Sequence, residues 1–440
     1  MSLRDLAVTV VIFGLLPLCL IRPWIGNLTW AWLGYMNPHR LTWGFAYSMP
    51  FGLMVMGMTV LGLPFSRDVR GLPRAIEVYL LGALWGWFLL TTMFAYYPAD
   101  AWVQFSKVSK ILVGIFLSLM LLQDERKFRA LVWVIAMSIG FFGFKGGIWA
   151  IMTGGRDLVL GPPDSFITGN TEIGLALNMT IPLLFYLRRQ EPRWWLRRLL
   201  LAMALLSMVA SLFTHSRGAL LGLLVIIPLL FLKSRTKVVV LPLLLIAGLV
   251  GPAMMPSNWT EKMETIETYE QDISATQRLT SWWVAYQLAK DSPILGGGFR
   301  TFHMDIYRAY IPDYIYADQE HDAHSIYFQV LAEHGFPGLA LFVGLMASTF
   351  VSLRYIIRVT RGRPEQEWIN DCAKMVEVSL AAYAVSGAFL SMSYFDLFYH
   401  LVVITVLLKV FVARAGTAAT PAPATAELSP LPGQGQVVRG

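Results

Sequence analysis

The sequence predicts an all-α polytopic membrane protein with about 12 transmembrane helices and one large, partly helical outer loop. Three observations support this fold class. The 440 residues are 56% hydrophobic and 14% charged, whereas soluble domains carry about 25% charged residues. Apolar runs approaching the roughly 20 residues that a bilayer-crossing helix needs recur along the chain. Lysine and arginine residues are concentrated in alternate connections between those runs, as in multi-pass membrane proteins.

The individual spans follow from the apolar runs. The first run is kept as a span, because Arg22 and Pro23 follow it where a signal peptide would have a small-residue cleavage site. Residues 24–37 are too short to cross comfortably, so a re-entrant or interfacial helix is predicted there. The predicted spans lie at about 5–21, 44–63, 77–95, 102–122, 130–153, 171–187, 196–213, 217–233, 238–255, 336–357, 374–393 and 396–412.

The basic connections predict the orientation. They place both termini in the cytoplasm and the loop between the late spans on the outer face, which is the periplasm of a Gram-negative cell. A full crossing by 24–37 would reverse this bias. The net charge of +7 is therefore assigned to cytoplasmic loops rather than to nucleic-acid binding. The predicted units are an N-terminal bundle, the outer loop, C-terminal spans and a disordered cytoplasmic tail, at 1–255, 256–335, 336–413 and 414–440.

Several cations are predicted at membrane depth near the outer face, where a charge is costly and usually faces a cavity or a partner. They are Lys107, Lys110, Lys145 and Arg217. Snorkelling of the long side chains to the interface is the alternative explanation. Few acidic residues share their depth, with Glu172 and Asp396 as the obvious candidates. Such a cluster suits an anionic lipid headgroup, above all a diphosphate, because guanidinium groups bind phosphate oxygens two at a time.

The outer loop holds three further candidate features. Arg278 lies on a predicted amphipathic helix, one turn before Trp282, where it either points into a cavity or covers the indole. The glycines of 296–298 either let backbone N–H groups approach a phosphate or mark a simple turn.

His324 begins the last outer helix, where a neutral imidazole can accept a proton from an acceptor hydroxyl. His334, beside a Gly-Phe-Pro-Gly break, is a weaker candidate. A metal site around His324 is a second interpretation, although zinc sites usually show a firmer ligand spacing. Its other ligands would be Asp318, Glu320, His321 and Asp322.

The ordered segments resemble the O-antigen ligase family of the bacterial envelope, which is similar to the O-antigen polymerases and the protein O-oligosaccharyl ligases. The matching segments are Ser216-Arg217-Gly-Ala-Leu-Leu-Gly, Arg278-Leu-Thr-Ser-Trp282, Pro293-Ile-Leu-Gly-Gly-Gly-Phe299, and His324-Ser325 with Phe328 and Gly335. The stretch 32–47 and the segment from Asn170 also resemble putative O-glycosylation ligases linked to exosortase systems, although the usual Asp-Asn-Asn opening of the second is altered here.

The resemblance implies a GT-C-like glycosyltransferase of the bacterial inner membrane that needs no metal or other cofactor. The donor would be an O-antigen polysaccharide on undecaprenyl diphosphate, and the acceptor a sugar hydroxyl of the lipid A-core. By this analogy Arg217 and Arg278 hold the diphosphate, and His324 orients or deprotonates the acceptor for an inverting attack. We add Lys107, Lys110, Lys145 and Arg300 as donor contacts.

Other functions stay open at this point. A polymerase or a protein O-oligosaccharyl ligase of the same superfamily is not separated from a ligase by these residues. A transporter of lipid-linked glycans would also have many spans and intramembrane cations. It would favour internal repeats and broken midplane helices, and no convincing repeat is evident in the sequence.

Overall fold

A computed structural model describes residues 2–233, 273–311 and 322–418. Within these ranges the protein is built from helices joined by short connections and contains no strand. The described α-helices are α1 Leu3–Ile21, α2 Pro23–Met36, α3 Phe51–Gly62, α4 Ile76–Met93, α5 Pro98–Leu121, α6 Glu125–Met152, α7 Asn170–Gln190, α8 Trp194–Leu212, α9 Arg217–Lys233, α10 Ile273–Asp291, α11 Met304–Tyr310, α12 Ile326–Val359, α13 Glu367–Ser386 and α14 Asp396–Ala418.

Eight helices among the described residues are long and apolar enough to cross a membrane. They correspond to α1, α4, α5, α6, α8, α12, α13 and α14, and α3 with its following turn is a shorter apolar helix. The all-α class is therefore confirmed. Four predicted segments lie outside the described residues. They are the span at 238–255, residues 256–272 and 312–321 of the outer loop, and the tail beyond 418.

The helices form a bundle with two ends, which we call the upper and lower ends. The lower end contains the connections that precede α4, α6, α8 and α13. Arg70 and Arg414 both donate there to the carbonyl oxygen of Gln123, at 3.3 and 2.6 Å. The upper end contains the connections 37–50, 94–97, 153–169, 213–216 and 387–395.

Helix α2 runs lengthwise inside this bundle and differs from the predicted re-entrant or interfacial helix. The Lys127 ammonium lies 5.7 Å from the Trp24 ring at its lower end. The Tyr35 hydroxyl is 2.6 Å from Nδ1 of His400 near its upper end. Its interior position is stabilised by a buried hydrogen bond of 2.7 Å from the Asn27 amide to Ser118. Such contacts let a 14-residue helix of about 21 Å cross the bundle.

The first helix starts at the upper end, because Asp5 accepts hydrogen bonds from the backbone N–H groups of Gly44 and Ala46 at 3.2 and 3.3 Å. The C-terminal helix reaches the lower end at Arg414. The two ends of the described chain therefore lie at opposite ends of the bundle, which does not fit the prediction that both termini are cytoplasmic. The charge pattern does not reveal the position of the N-terminal end, because α2 adds a passage through the bundle between α1 and α3. Every later connection therefore stays at the end of the bundle where the charge pattern placed it.

Helix α12 is interrupted at Gly335, whose φ of 68° and ψ of −173° lie outside the helical region. The first part of α12 stays at the upper end, and the part after the break continues to the lower end. The break falls where the predicted outer loop meets the next span.

Cysteine labelling tests the orientation. Cys19 and Cys372 are both fully buried, so thiols introduced at exposed sites dominate the reaction. We expect a membrane-impermeant maleimide added from the periplasmic side to label Leu3→Cys and Ser48→Cys but not Arg363→Cys. Labelling of Arg363→Cys together with either of the others would contradict the orientation of α1 given above.

Candidate active site

Arg217 is the first residue of α9 and is half-buried at the upper end. The Ser216 side chain caps this helix by accepting a hydrogen bond from the Ala219 N–H at 3.2 Å, the usual role of serine at this position. The preceding turn is held by Asn170, whose amide donates to the Thr214 carbonyl oxygen at 2.8 Å. The start of α7 therefore fixes the place from which Arg217 projects.

Arg278 is half-buried on α10, one turn before Trp282. The Trp282 indole donates to the Ala323 carbonyl oxygen at 2.9 Å and stacks on Phe328 with ring centroids 5.2 Å apart. Residues four apart on a helix have Cβ atoms about 5–6 Å apart on one face. These contacts therefore hold the Arg278 turn beside the residue that precedes His324.

His324 immediately precedes Ser325, the N-cap residue of α12. It is half-buried, and its φ of 47° lies in the left-handed region. Its backbone N–H donates to Oγ of Ser391 at 2.8 Å. The predicted position at a helix start is confirmed, and the contact with Ser391 ties it to the α13–α14 connection. His321, Asp318 and Glu320 lie outside the described residues.

The three segments meet at one short turn, Gly387–Phe389, which we call the hub turn. A methyl group added at Gly218 would lie 3.5 Å from Cβ of Phe389. The Trp282 ring lies 6.1 Å from the Phe389 ring. A methyl group added at Gly387 would lie 2.8 Å from the Ile326 side chain. The elements that carry Arg217, Arg278 and His324 thus pack around the same turn.

A small helix supports α10 from the other side. The Tyr307 hydroxyl of α11 donates to Oγ of Ser281 at 2.8 Å. The Tyr97 hydroxyl, just before α5, donates to the Asp305 carboxylate. Burial and this hydrogen bond raise the pKa of Tyr97, so the phenol remains a donor. Helix α10 is therefore held between α11 and α12.

Carboxylates also lie in this region. The sequence pointed to Glu172 and Asp322 but not to Glu333. Glu172, in the first turn of α7, and Asp322 interact electrostatically, as do Asp322 and Glu333. Arg300 lies beside Glu333, because its backbone N–H donates to the Glu333 carboxylate. The region therefore carries charges of both signs rather than cations alone.

A buried polar network, missed from the sequence, lies behind this region. Glu333 accepts hydrogen bonds from the Tyr394 hydroxyl and, at 2.8 Å, from the Arg300 N–H. The Tyr394 oxygen is also 2.8 Å from Nε2 of His334, and Nδ1 of His334 is 2.7 Å from Oγ1 of Thr91. His334 is fully buried with partners at both nitrogens. The only sequence feature that pointed to this network was the adjacent run Glu333-His334-Gly335.

The glycine-rich turn uses its backbone N–H groups for contacts within the protein. The N–H groups of Gly297 and Gly298 donate to the carbonyl oxygens of Ala332 and Glu333, at 2.8 and 2.9 Å. The N–H of Gly296 donates to Ser292 at 3.0 Å. All three donors are therefore occupied by backbone, and the alternative interpretation as a turn is correct.

Comparisons with known proteins agree with these motifs. Residues 201–343 match the family model described as O-Antigen ligase. Residues 201–343 therefore form a domain of the O-antigen ligase family, as the motifs predicted. Residues 3–192 match a family of unknown function, DUF5935. A comparison with curated proteins gives no match.

The O-antigen ligase domain includes Arg217, Arg278, Arg300 and His324 but not the hub turn or Tyr394. The α13–α14 connection thus supplies packing partners from outside the matched range.

The three predicted donor lysines lie outside the ligase domain. Lys107 and Lys110 are both exposed on α5. No contact in the described residues brings them to Arg217, and their placement fits snorkelling. Lys145 is exposed and lines a separate cavity of 330 Å³ near the upper end of α6.

Substitution of a turn glycine tests its structural role. Gly298 has a φ of 80°, and a Cβ there would lie 2.2 Å from Cβ of Ala95. We expect Gly298→Ala to lower the unfolding free energy by about 1–3 kcal/mol more than Gly154→Ala. Gly154 is the matched control, because its φ is 61° but it has open space around it. Equal shifts of the two melting temperatures in detergent would contradict this account.

Removal of the Tyr394 hydroxyl tests the buried network. Tyr394→Phe leaves Glu333 and His334 each without one partner, and we expect a loss of about 1–3 kcal/mol of stability. The exposed Tyr355 provides a control, since Tyr355→Phe should leave the melting temperature unchanged. If both variants had the melting temperature of the unmodified protein, the network would not contribute to stability.

Proposed function

We propose that this protein is an O-antigen ligase. It transfers a polysaccharide from undecaprenyl diphosphate to a sugar hydroxyl of the lipid A-core at the periplasmic face of the inner membrane. The supporting observation is that the segments bearing Arg217, Arg278 and His324 pack around one hub turn, and all three segments lie in a domain of the O-antigen ligase family.

The two arginines act on the diphosphate of the donor. Guanidinium groups bind phosphate oxygens in pairs and keep their charge at every physiological pH. Their contribution grows as the diphosphate leaves and its bridging oxygen gains negative charge, so they stabilise the transition state more than the bound donor. Arg300, exposed near Glu333, is a further proposed contact to the donor.

The transfer is a direct displacement at the anomeric carbon. The acceptor oxygen forms a bond to this carbon while the bond from the carbon to the diphosphate oxygen breaks. The bonding electron pair leaves with undecaprenyl diphosphate, and the hydroxyl proton passes to a neutral His324. Attack opposite the leaving group inverts the anomeric configuration.

Reconstitution tests this function. Purified protein is incubated with a defined lipid-linked donor and lipid A-core, and glycosylated lipid A-core is measured. We expect Arg217→Ala and Arg278→Ala each to lower the rate at least about 100-fold, the usual cost of losing a transition-state donor. We expect His324→Ala to lower it about 10²–10⁴-fold, as for loss of a general base.

Arg156→Ala is the control for lost positive charge, because Arg156 is exposed in the 153–169 connection at the same end of the bundle. It should retain near-normal transfer. Normal transfer by all three site variants would exclude the assignment of the site. A purified protein that extends lipid-linked repeats but never glycosylates lipid A-core would be a polymerase, and one that only moves the donor between leaflets would be a transporter.

A further inference from the structure

Two cavities lie one above the other along α6, away from the hub turn. The upper cavity, of 330 Å³, is lined by Lys145 and Trp149 of α6 and by Leu158–Pro163 of the following connection. The lower cavity, of 560 Å³, is lined by apolar side chains of α2, α6 and α8, among them Trp32 and Met137. Neither cavity is lined by Arg217, Arg278 or His324.

The two cavities are lined by residues on the same face of α6, and together we call them the groove. Val134, Ser138 and Phe141 line the lower cavity, and Lys145 and Trp149 line the upper one. Steps of three and four residues keep these side chains on one face of the helix. The groove therefore changes along a single helix face from apolar to cationic as it approaches the upper end.

The length of the apolar part matches one leaflet. Eleven residues separate Val134 from Lys145, a rise of about 16 Å. The hydrocarbon core of a bilayer is about 30 Å thick, so half of it is about 15 Å. Trp149 lies one turn above Lys145 and is 49% exposed, as expected of an aromatic residue at the headgroup level. An amphipathic lipid of the upper leaflet would thus place its phosphate at Lys145 and a chain along the lower cavity.

The charges at the mouth favour a headgroup with a single negative charge. Arg40, beside the mouth, is paired with Asp164 at 3.6 Å. No ion pair or hydrogen bond of Lys145 is found within the described ranges. One ammonium group balances one phosphodiester, whereas a diphosphate would require more cations.

We propose that this groove binds a glycerophospholipid with a net charge of −1, with its phosphodiester on Lys145 and one acyl chain between α2, α6 and α8. The site is distinct from the donor site and lies within the DUF5935 match. Under this proposal Lys145 contacts this lipid rather than the donor diphosphate, and the proposal does not depend on the ligase activity.

The position of the groove suggests why a lipid there matters. The connection that forms its mouth is attached to the turn before α9 by a hydrogen bond from the Val159 N–H to the Phe213 carbonyl oxygen, at 3.2 Å. His215 contacts the same connection, with its Nε2 3.1 Å from the Gly155 carbonyl oxygen. A bound headgroup therefore contacts a segment that packs against the residues just before Arg217.

Native mass spectrometry of the full-length protein, released from detergent, tests the proposal. It is titrated with phosphatidylglycerol and with phosphatidylcholine of the same chains, which has the same phosphodiester but no net charge. We expect the protein to bind phosphatidylglycerol more tightly than phosphatidylcholine. The ratio of the two affinities should fall about fivefold in Lys145→Met, which corresponds to the contribution of one lysine near an anionic surface. Lys107→Met, which removes an exposed lysine of α5 that lines neither cavity, should keep the preference.

A second variant tests the chain-binding part. Met137→Trp fills the lower cavity and should weaken the binding of both lipids without changing the ratio between them. An unchanged preference in Lys145→Met, or an equal loss in Lys107→Met, would overturn the proposal. Displacement of phosphatidylglycerol by equimolar polyprenyl diphosphate in a Lys145-dependent manner would also overturn it and return Lys145 to the donor site.

Discussion

The candidate site depends on one contact between two interrupted stretches of backbone. The turn after α10 and the break in α12 share three main-chain hydrogen bonds, with Gly297, Gly298 and Phe336 as donors. A side chain at Gly335 would collide with the Pro293 carbonyl oxygen at 2.7 Å, so the close approach requires glycine. Because Arg278 lies before the first interruption and His324 before the second, this contact sets the position of both relative to the bundle.

The membrane explains why the two interruptions pair with each other. Backbone groups that leave a helix near hydrocarbon must find partners, because each unsatisfied group costs several kcal/mol. Here each interruption supplies the partners that the other lacks. The Glu333 carboxylate completes the arrangement by accepting the N–H of Arg300, whose φ of 55° turns the chain out of the contact. Polar residues can therefore gather at this end without leaving exposed backbone in lipid.

Structural features that depend on residues close together in the sequence could be predicted. The long apolar runs predicted an all-helical chain, Ser216 before Arg217 marks a helix start, and His324 precedes α12. Features that depend on packing between distant segments could not be predicted. The interior course of α2 rests on its contacts with Ser118 and His400. The use of the glycine donors rests on carbonyl groups about 35 residues further along the chain.

The carboxylates of the site follow the same division and bear on its chemistry. Charge counting from the sequence predicted a cluster of cations, whereas the fold brings Asp322 within electrostatic range of Glu172 and Glu333. Under the proposed function, the arginines stabilise the transition state more than the bound donor, because negative charge builds up on the departing oxygen. Nearby carboxylates weaken the binding of any resting anion at the arginines.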